Sequence, residues 1–162
     1  MSEQRFTDEL QVLLARSTEP RELLAWSLGW LSTSIRFKGG SIARLNAADE
    51  LEIVAAFGQI DEAARKVRLA RGQGIAGTVV ATGKSIYRPD LDIAVPDGAP
   101  VAGRAVGTNR LIRSYLCAPL IADGKAVGVI QIDSDRPDAF DAEAVALFEH
   151  VARALSASGA LI

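Results

Sequence analysis

Apolar residues Phe6, Leu10, Leu13 and Leu14 fall at i, i+4, i+7 and i+8, which predicts an amphipathic helix ending near Ser17-Thr18-Glu19-Pro20. A second helix follows at once, with Leu24, Leu28, Leu31 and Ile35 on one stripe and Leu23, Trp26 and Trp30 on another. That apolar arc is wider than one core face requires, which leaves part of it for a partner, although Trp26 and Trp30 themselves are read as core before interface. Gly39-Gly40 is expected to end the helix. Ile42-Ala43-Arg44-Leu45 and the run from Leu51 to Phe57 then flank the turn residues Asn46-Ala47-Ala48-Asp49-Glu50, a β-hairpin pattern. Beyond Gly58 come a polar helix-like stretch from Asp61 to Lys66 and a short strand Val67-Arg68-Leu69-Ala70. The glycine-punctuated segment Gly72-Gln73-Gly74-Ile75-Ala76-Gly77 enters a short helix that runs to Gly83, and Ser85-Ile86-Tyr87-Arg88 is extended again.

From Pro89 to Arg110 no period is sustained, and the prolines and glycines there predict a long connection of the kind that usually carries function. Arg113 to Leu120 and Ala126 to Asp133 read as two strong strands joined through Asp123-Gly124, a tight-turn pair, and so as a second hairpin. Ala144, Phe148, Val151 and Leu155 form the stripe of a closing helix, with Asp141 and Glu143 in its first turn and Gly159 beyond its end. Helices at both termini with hairpins between them predict an α+β domain. Its antiparallel sheet carries helices on one face and leaves the long loop to cover the other. The expected division is a helix over 1–19 that serves as a dimerisation element, a domain over 20–158 and a tail over 159–162.

Composition narrows the function. The 162 residues, 49% of them hydrophobic, suffice for one ordinary core. The 18 Lys plus Arg nearly cancel the 20 Asp plus Glu, so the basic stripe that nucleic acid requires is missing. No apolar run reaches the roughly 18 residues of a membrane span, and the N-terminus has no signal-peptide core. A lone cysteine, Cys117, excludes an internal disulfide or a multi-cysteine zinc site and suits a reducing compartment, hence a cytoplasmic location.

Three segments together resemble the GAF family over roughly residues 20–158. Gly72-Gln73-Gly74-Ile75-Ala76-Gly77 with Ala81-Thr82-Gly83-Lys84 is similar to its glycine-rich strand-to-helix passage. Arg113-Ser114-Tyr115-Leu116-Cys117-Ala118-Pro119-Leu120 is similar to its Ser-x-x-x-x-Pro-Leu strand, and Gly128-Val129-Ile130-Gln131-Ile132-Asp133-Ser134 with Phe140 to its last strand and helix entry. The resemblance implies a central antiparallel sheet of about six strands with the N- and C-terminal helices on one face, a ligand pocket under loops and short helices on the other, dimerisation through the terminal helices, and a sensory role in signal transduction. A sensor of this length acts on a separate kinase or regulator, or is one domain of a longer protein. Some members resemble this chain in size and reduce free methionine sulfoxide, which takes a nucleophilic and a resolving cysteine. Here Ala76 and Ala102 or a neighbour stand where those cysteines would, and Gln131 and Tyr115 stand where two of that subfamily's carboxylates would, leaving Asp133. The cyclic-nucleotide branch expects an Asn-Lys pair where this chain has Asp133-Ser134, and Asp-Glu where it has Ala144-Val145. Bilin and haem relatives need a loop cysteine or a pocket histidine.

Period-two alternation puts Ile130 and Ile132 on one face of the last strand and Val129, Gln131 and Asp133 on the other. In its partner Leu116 and Ala118 oppose Arg113, Tyr115 and Cys117. The mixed polar face is costly to bury unless its groups bond each other or a ligand, and is therefore taken as the pocket side. The candidate pocket residues are Phe57, Ile75, Tyr87, Asp90, Arg110, Arg113, Tyr115, Cys117, Gln131 and Asp133, with no catalytic residue, metal ligand or cofactor. An inward Arg113 would favour an anionic ligand, the alternative being an internal bridge to Asp133. Cys117 is read as a small core residue and His150 as a surface or interface residue. The expected function is a small-molecule sensor for a polar or anionic ligand. The alternatives are a degenerate methionine sulfoxide reductase-like enzyme and a dimerisation module without a ligand.

Overall fold

Two layers of helix enclose a single sheet. The computed structural model describes residues 2–58, 62–91 and 111–161. Its elements are α1 (Ser2–Ala15), α2 (Pro20–Ser32), β1 (Gly39–Leu45), β2 (Glu50–Gly58), α3 (Glu62–Arg65) and β3 (Leu69–Ala70), followed by α4 (Gly74–Thr82), β4 (Ile86–Arg88), β5 (Ser114–Ala122), β6 (Lys125–Ser134) and α5 (Ala142–Ala157). The strands form one six-stranded sheet in the order β3-β2-β1-β6-β5-β4, every neighbouring pair antiparallel. This is the α+β arrangement expected from the hydrophobic pattern.

The turn chemistry explains both long hairpins. Asn46 Oδ1 accepts the amides of Ala48 and Glu50 and so closes the β1–β2 turn. Asp123 and Gly124 both have positive φ, 51° and 77°, as a tight β5–β6 turn demands. Asp141 caps α5 by accepting the Ala144 amide at 2.8 Å. Gly77 answers to close packing, because a Cβ there would lie 2.5 Å from the Ala70 carbonyl oxygen, where α4 presses on β3.

The main core fills the space between the sheet and α1, α2 and α5, with Leu116, Ala118, Ile130, Ile132 and Ile42 from the strands meeting Phe6, Leu10, Leu28, Phe148 and Val151. A smaller core lies on the opposite face, where Ala76, Val79 and Val80 of α4 cover Ala43, Leu51, Cys117 and Val129. The expected alternation of β5 and β6 is therefore observed. The second helix, in contrast, ends at Ser32, well before Gly39-Gly40, which begin β1; Thr33 caps it through bonds to Leu31 and Trp30. Ile35 is buried outside the helix, in the turn that leads to the sheet. The wide apolar arc of α2 is covered from within the chain: Phe6 of α1 stacks on Trp26 at 5.3 Å and meets Trp30 edge-on at 5.0 Å.

Candidate functional site

The polar residues of the sheet gather on the face that carries α4. Two cross-strand rows define the site. Ser41 of β1 pairs with Gln131 of β6, which pairs with Cys117 of β5, which pairs with Ile86 of β4. One step along, Gly39, Asp133, Tyr115 and Arg88 form the second row. Side chains directly opposite on one face lie about 5 Å apart, close enough for these groups to touch.

They do touch. The Tyr115 hydroxyl donates to Gln131 Oε1, and Gln131 Nε2 donates to Ser41 Oγ at 2.8 Å, so one amide links the three central strands. Ser41 and Asp133 are both buried, at 4% and 8% exposure. Burial pushes the Tyr115 phenol well above its usual range, with the neighbouring Cys117 thiol and the Asp133 charge acting in the same direction. Burial likewise pushes the Cys117 thiol from its ordinary 9.0 to about 12, against a smaller lowering by its hydrogen bond with Tyr115. Both groups stay protonated, and Cys117 lacks the thiolate character of a nucleophile.

Of the expected pocket residues, Ile75, Tyr115, Cys117, Gln131 and Asp133 lie together on this face. Arg110 lies outside the described residues, as does most of the connection from Pro89. Two placements are corrections. Phe57 turns to the helix layer, packing near Gly29 of α2 and edge-on to Phe37 at 6.0 Å. A bulge opposite Ile42/Ala43 is the cause: it inserts Val54 between Ile53 on the α4 side and Ala55 on the helix side, reversing the alternation of β2. Tyr87 pairs with Leu116, shares its helix-side face, and donates its hydroxyl to the Phe140 carbonyl at 2.9 Å. A third correction concerns ion pairing. Arg113 precedes β5 and forks onto Asp90 at 2.8 and 2.6 Å, so the internal partner is Asp90 where Asp133 was expected.

Ser41 and Arg88 are on the site face without having been singled out in the sequence. Alternation along Gly39 to Ala43 could have found Ser41 once β1 was known to begin at Gly39. Arg88 follows only from the register of a three-residue strand. Among the described residues no group of histidine, cysteine and carboxylate side chains could hold a metal ion, and no described helix is long and apolar enough to cross a membrane.

The GAF domain family matches residues 8–158 of this chain. The Nif-specific regulatory protein of Azospirillum lipoferum is 27% identical over 125 residues, which cover 77% of this chain and 20% of that protein. The chain thus spans about a fifth of the length of that relative. Among solved structures, the GAF domain from an Acinetobacter phosphoenolpyruvate-protein phosphotransferase superposes with a TM-score of 0.79 at 17% identity, over 97% of this chain and 89% of that one. Free methionine-R-sulfoxide reductase from Neisseria meningitidis, in complex with its substrate, superposes with a TM-score of 0.77 at 22% identity, over 96% and 87%. At these identities the structural likeness is one of fold.

Proposed function

The chain belongs to the GAF domain family, and from that premise we propose that it is a sensory module whose α4-side sheet face binds a small polar molecule. The observation that carries this reading is the Ser41–Gln131–Tyr115 network beside Asp133, on the sheet face opposite the main apolar core. Polar groups kept in such a place cost stability unless they bond each other or a ligand, and in this reading their internal bonds hold them in position for one. The Nif-specific regulatory protein, in which the matching region is a fifth of the chain, is consistent with a regulatory role. An anionic ligand held by Arg113 loses its main support, because that guanidinium is forked onto Asp90.

Signal output belongs to the same proposal: pairing of two protomers through the outward sides of α1 and α5, and action on a separate kinase or regulator from a cytoplasmic location. A thermal-unfolding screen of small polar metabolites tests the binding. A true ligand at a hundred times its dissociation constant adds about 2.7 kcal/mol to stability. The shift should be lost in Gln131→Leu. A panel that leaves the midpoint unmoved would turn the reading toward a ligand-free dimerisation module.

The fold shared with the Neisseria enzyme favours one second reading, reduction of free methionine sulfoxide. Its weak point is Cys117, the single cysteine, fully buried and with its thiol pushed up to about 12. Consumption of methionine-R-sulfoxide with a thiol reductant, abolished by Cys117→Ser, would establish that activity.

A further inference from the structure

On the helix side of the sheet, away from the pocket, Phe57 lies on the surface at 39% exposure, and of the large apolar side chains exposed among the described residues it is the one aromatic ring. A single exposed apolar side chain is ordinary. Phe57 is not single: it meets the half-buried Phe37 edge-on at 6.0 Å and lies over Gly29 of α2, its ring 3.7 Å from where a Cβ would stand. The backbone holds it there. The bulge in β2 turns Phe57 to the helix side, and Gly58 then takes a φ of 78°, packed so tightly on the Lys38 carbonyl that a Cβ would collide with its oxygen. The Lys38 amide donates to the Asp133 carbonyl at 2.8 Å, which fixes the other side of the Arg36-Phe37-Lys38 segment to β6.

Two cations therefore flank an aromatic pair. Arg36 and Lys38 are both exposed, and neither forms an ion pair among the described residues. The carboxylates of the two elements beside them are remote: Glu22 lies in the first turn of α2, and Glu50 and Glu52 at the start of β2, whereas the aromatic pair sits at the far end of both. We propose that this shoulder between α2 and the end of β2 docks an acidic amphipathic helix of a partner protein. An apolar side chain of that helix rests on Phe57 and Phe37, and its carboxylates meet Arg36 and Lys38.

Charge selects the occupant. A second copy of this chain, docking the same patch on itself, would bring Arg36 and Lys38 against their own counterparts, as a two-fold contact requires, and like charges there oppose pairing. A segment rich in Asp or Glu removes that repulsion and is steered to the patch by it. The shape of the surface favours a helix. Ala25, one turn before Gly29, is exposed on α2, so the apolar strip follows the axis of α2 from Ala25 to Phe57. A helix laid along it offers side chains every three or four residues to both ends of the strip.

The test is a backbone amide NMR titration of the full chain with two synthetic helical peptides, one with leucine at helical spacing and glutamate elsewhere, the other with lysine in place of each glutamate. The glutamate peptide is expected to shift the amides of residues 29, 36–38 and 57–58 saturably, to bind more tightly than the lysine peptide, and to weaken as salt is raised. Phe57→Ser is expected to abolish those shifts. The exposed double change Arg36→Glu with Lys38→Glu, which leaves the core untouched, is expected to weaken the glutamate peptide about tenfold and so keeps the test independent of any folding defect in Phe57→Ser. Equal or tighter binding of the lysine peptide overturns the inference, as does silence from both peptides or unchanged affinity in the double variant. Self-association of the free chain that vanishes in Phe57→Ser would give the face to a second copy and overturn it too. So would shifts of the same amides by phosphatidylserine vesicles when the glutamate peptide causes none. None of these outcomes bears on the pocket, which lies across the sheet from Phe57.

Discussion

At Cys117 a single side chain couples burial to chemistry. Its thiol, raised from 9.0 to about 12, keeps its proton in the folded chain when the unfolded chain has already lost it. The native state then binds more protons than the unfolded state between about pH 9 and pH 12, so stability is flat below that window and falls through it. Tyr115, raised from 10.0, adds to the fall at its alkaline end. Urea denaturation across this range should show the decline, and Cys117→Ala should make it shallower. A thiol reagent should label Cys117 only after unfolding; rapid labelling at neutral pH would contradict its place beneath α4. A different physical term governs Gly77. With the Ala70 carbonyl oxygen 2.5 Å from any Cβ, Gly77→Ala must push α4 off β3, at a cost of about 2–3 kcal/mol in denaturant unfolding. The site face was legible at residues 115, 117, 131 and 133 because two long strands alternate there without interruption.

Where strands bulge or shorten, the element decides what the residue sequence leaves open. The extra residue at Val54 sends Phe57 to the helix layer, and β4 is only three residues long, too short for its own pattern to say that Ile86 and Arg88 face the site while Tyr87 does not. Helix α1 shows the same dependence. Read alone, its stripe is equally suited to a partner or to its own chain. In the fold Phe6 and Leu10 are buried against Trp26, Trp30 and α5, and His150 Nε2 lies 2.8 Å from the Thr7 hydroxyl, tying α5 to α1. Phe6→Ala should therefore cost about 3–5 kcal/mol and shift tryptophan emission to the red, as a core truncation does. An unchanged unfolding midpoint would mean that α1 is docked only loosely.

For the whole molecule, the layers divide the work. The thick helix layer of α1, α2 and α5 supplies most of the apolar burial, and the thin cover of α4 leaves the polar rows of Ser41–Gln131–Cys117 and Asp133–Tyr115–Arg88 on the other side. The Arg113–Asp90 pair, with side chains 29% and 12% exposed, joins the start of β5 to the chain just after β4. Asp90→Ala should destabilise the domain by roughly 2 kcal/mol, because it removes the forked carboxylate from a largely buried guanidinium. Equilibrium unfolding measures it, and a loss near zero would show the pair to be a solvated surface contact. The proposed protomer pairing has a companion expectation. Leu10→Ala should lower monomer stability by about 2–5 kcal/mol because Leu10 is core. Sedimentation velocity on variants of outward residues such as Glu9 and Val12 is what should change the oligomeric state.

The sequence by itself determined the element order, both hairpins, the terminal helices and the sorting of β5 and β6. Each of these rests on a periodicity of 3.6 or 2 carried over many residues, or on turn residues with a fixed φ requirement. Only the tertiary structure decided that Arg113 meets Asp90, that Phe57 and Tyr87 turn away from the site, that the α2 arc is closed by α1, and that Ser41 joins Gln131 and Tyr115. The physical reason is common to all four. A side chain's partner depends on strand register, bulges and the approach of distant elements, and these are set by how the layers pack rather than by the pattern within any one segment.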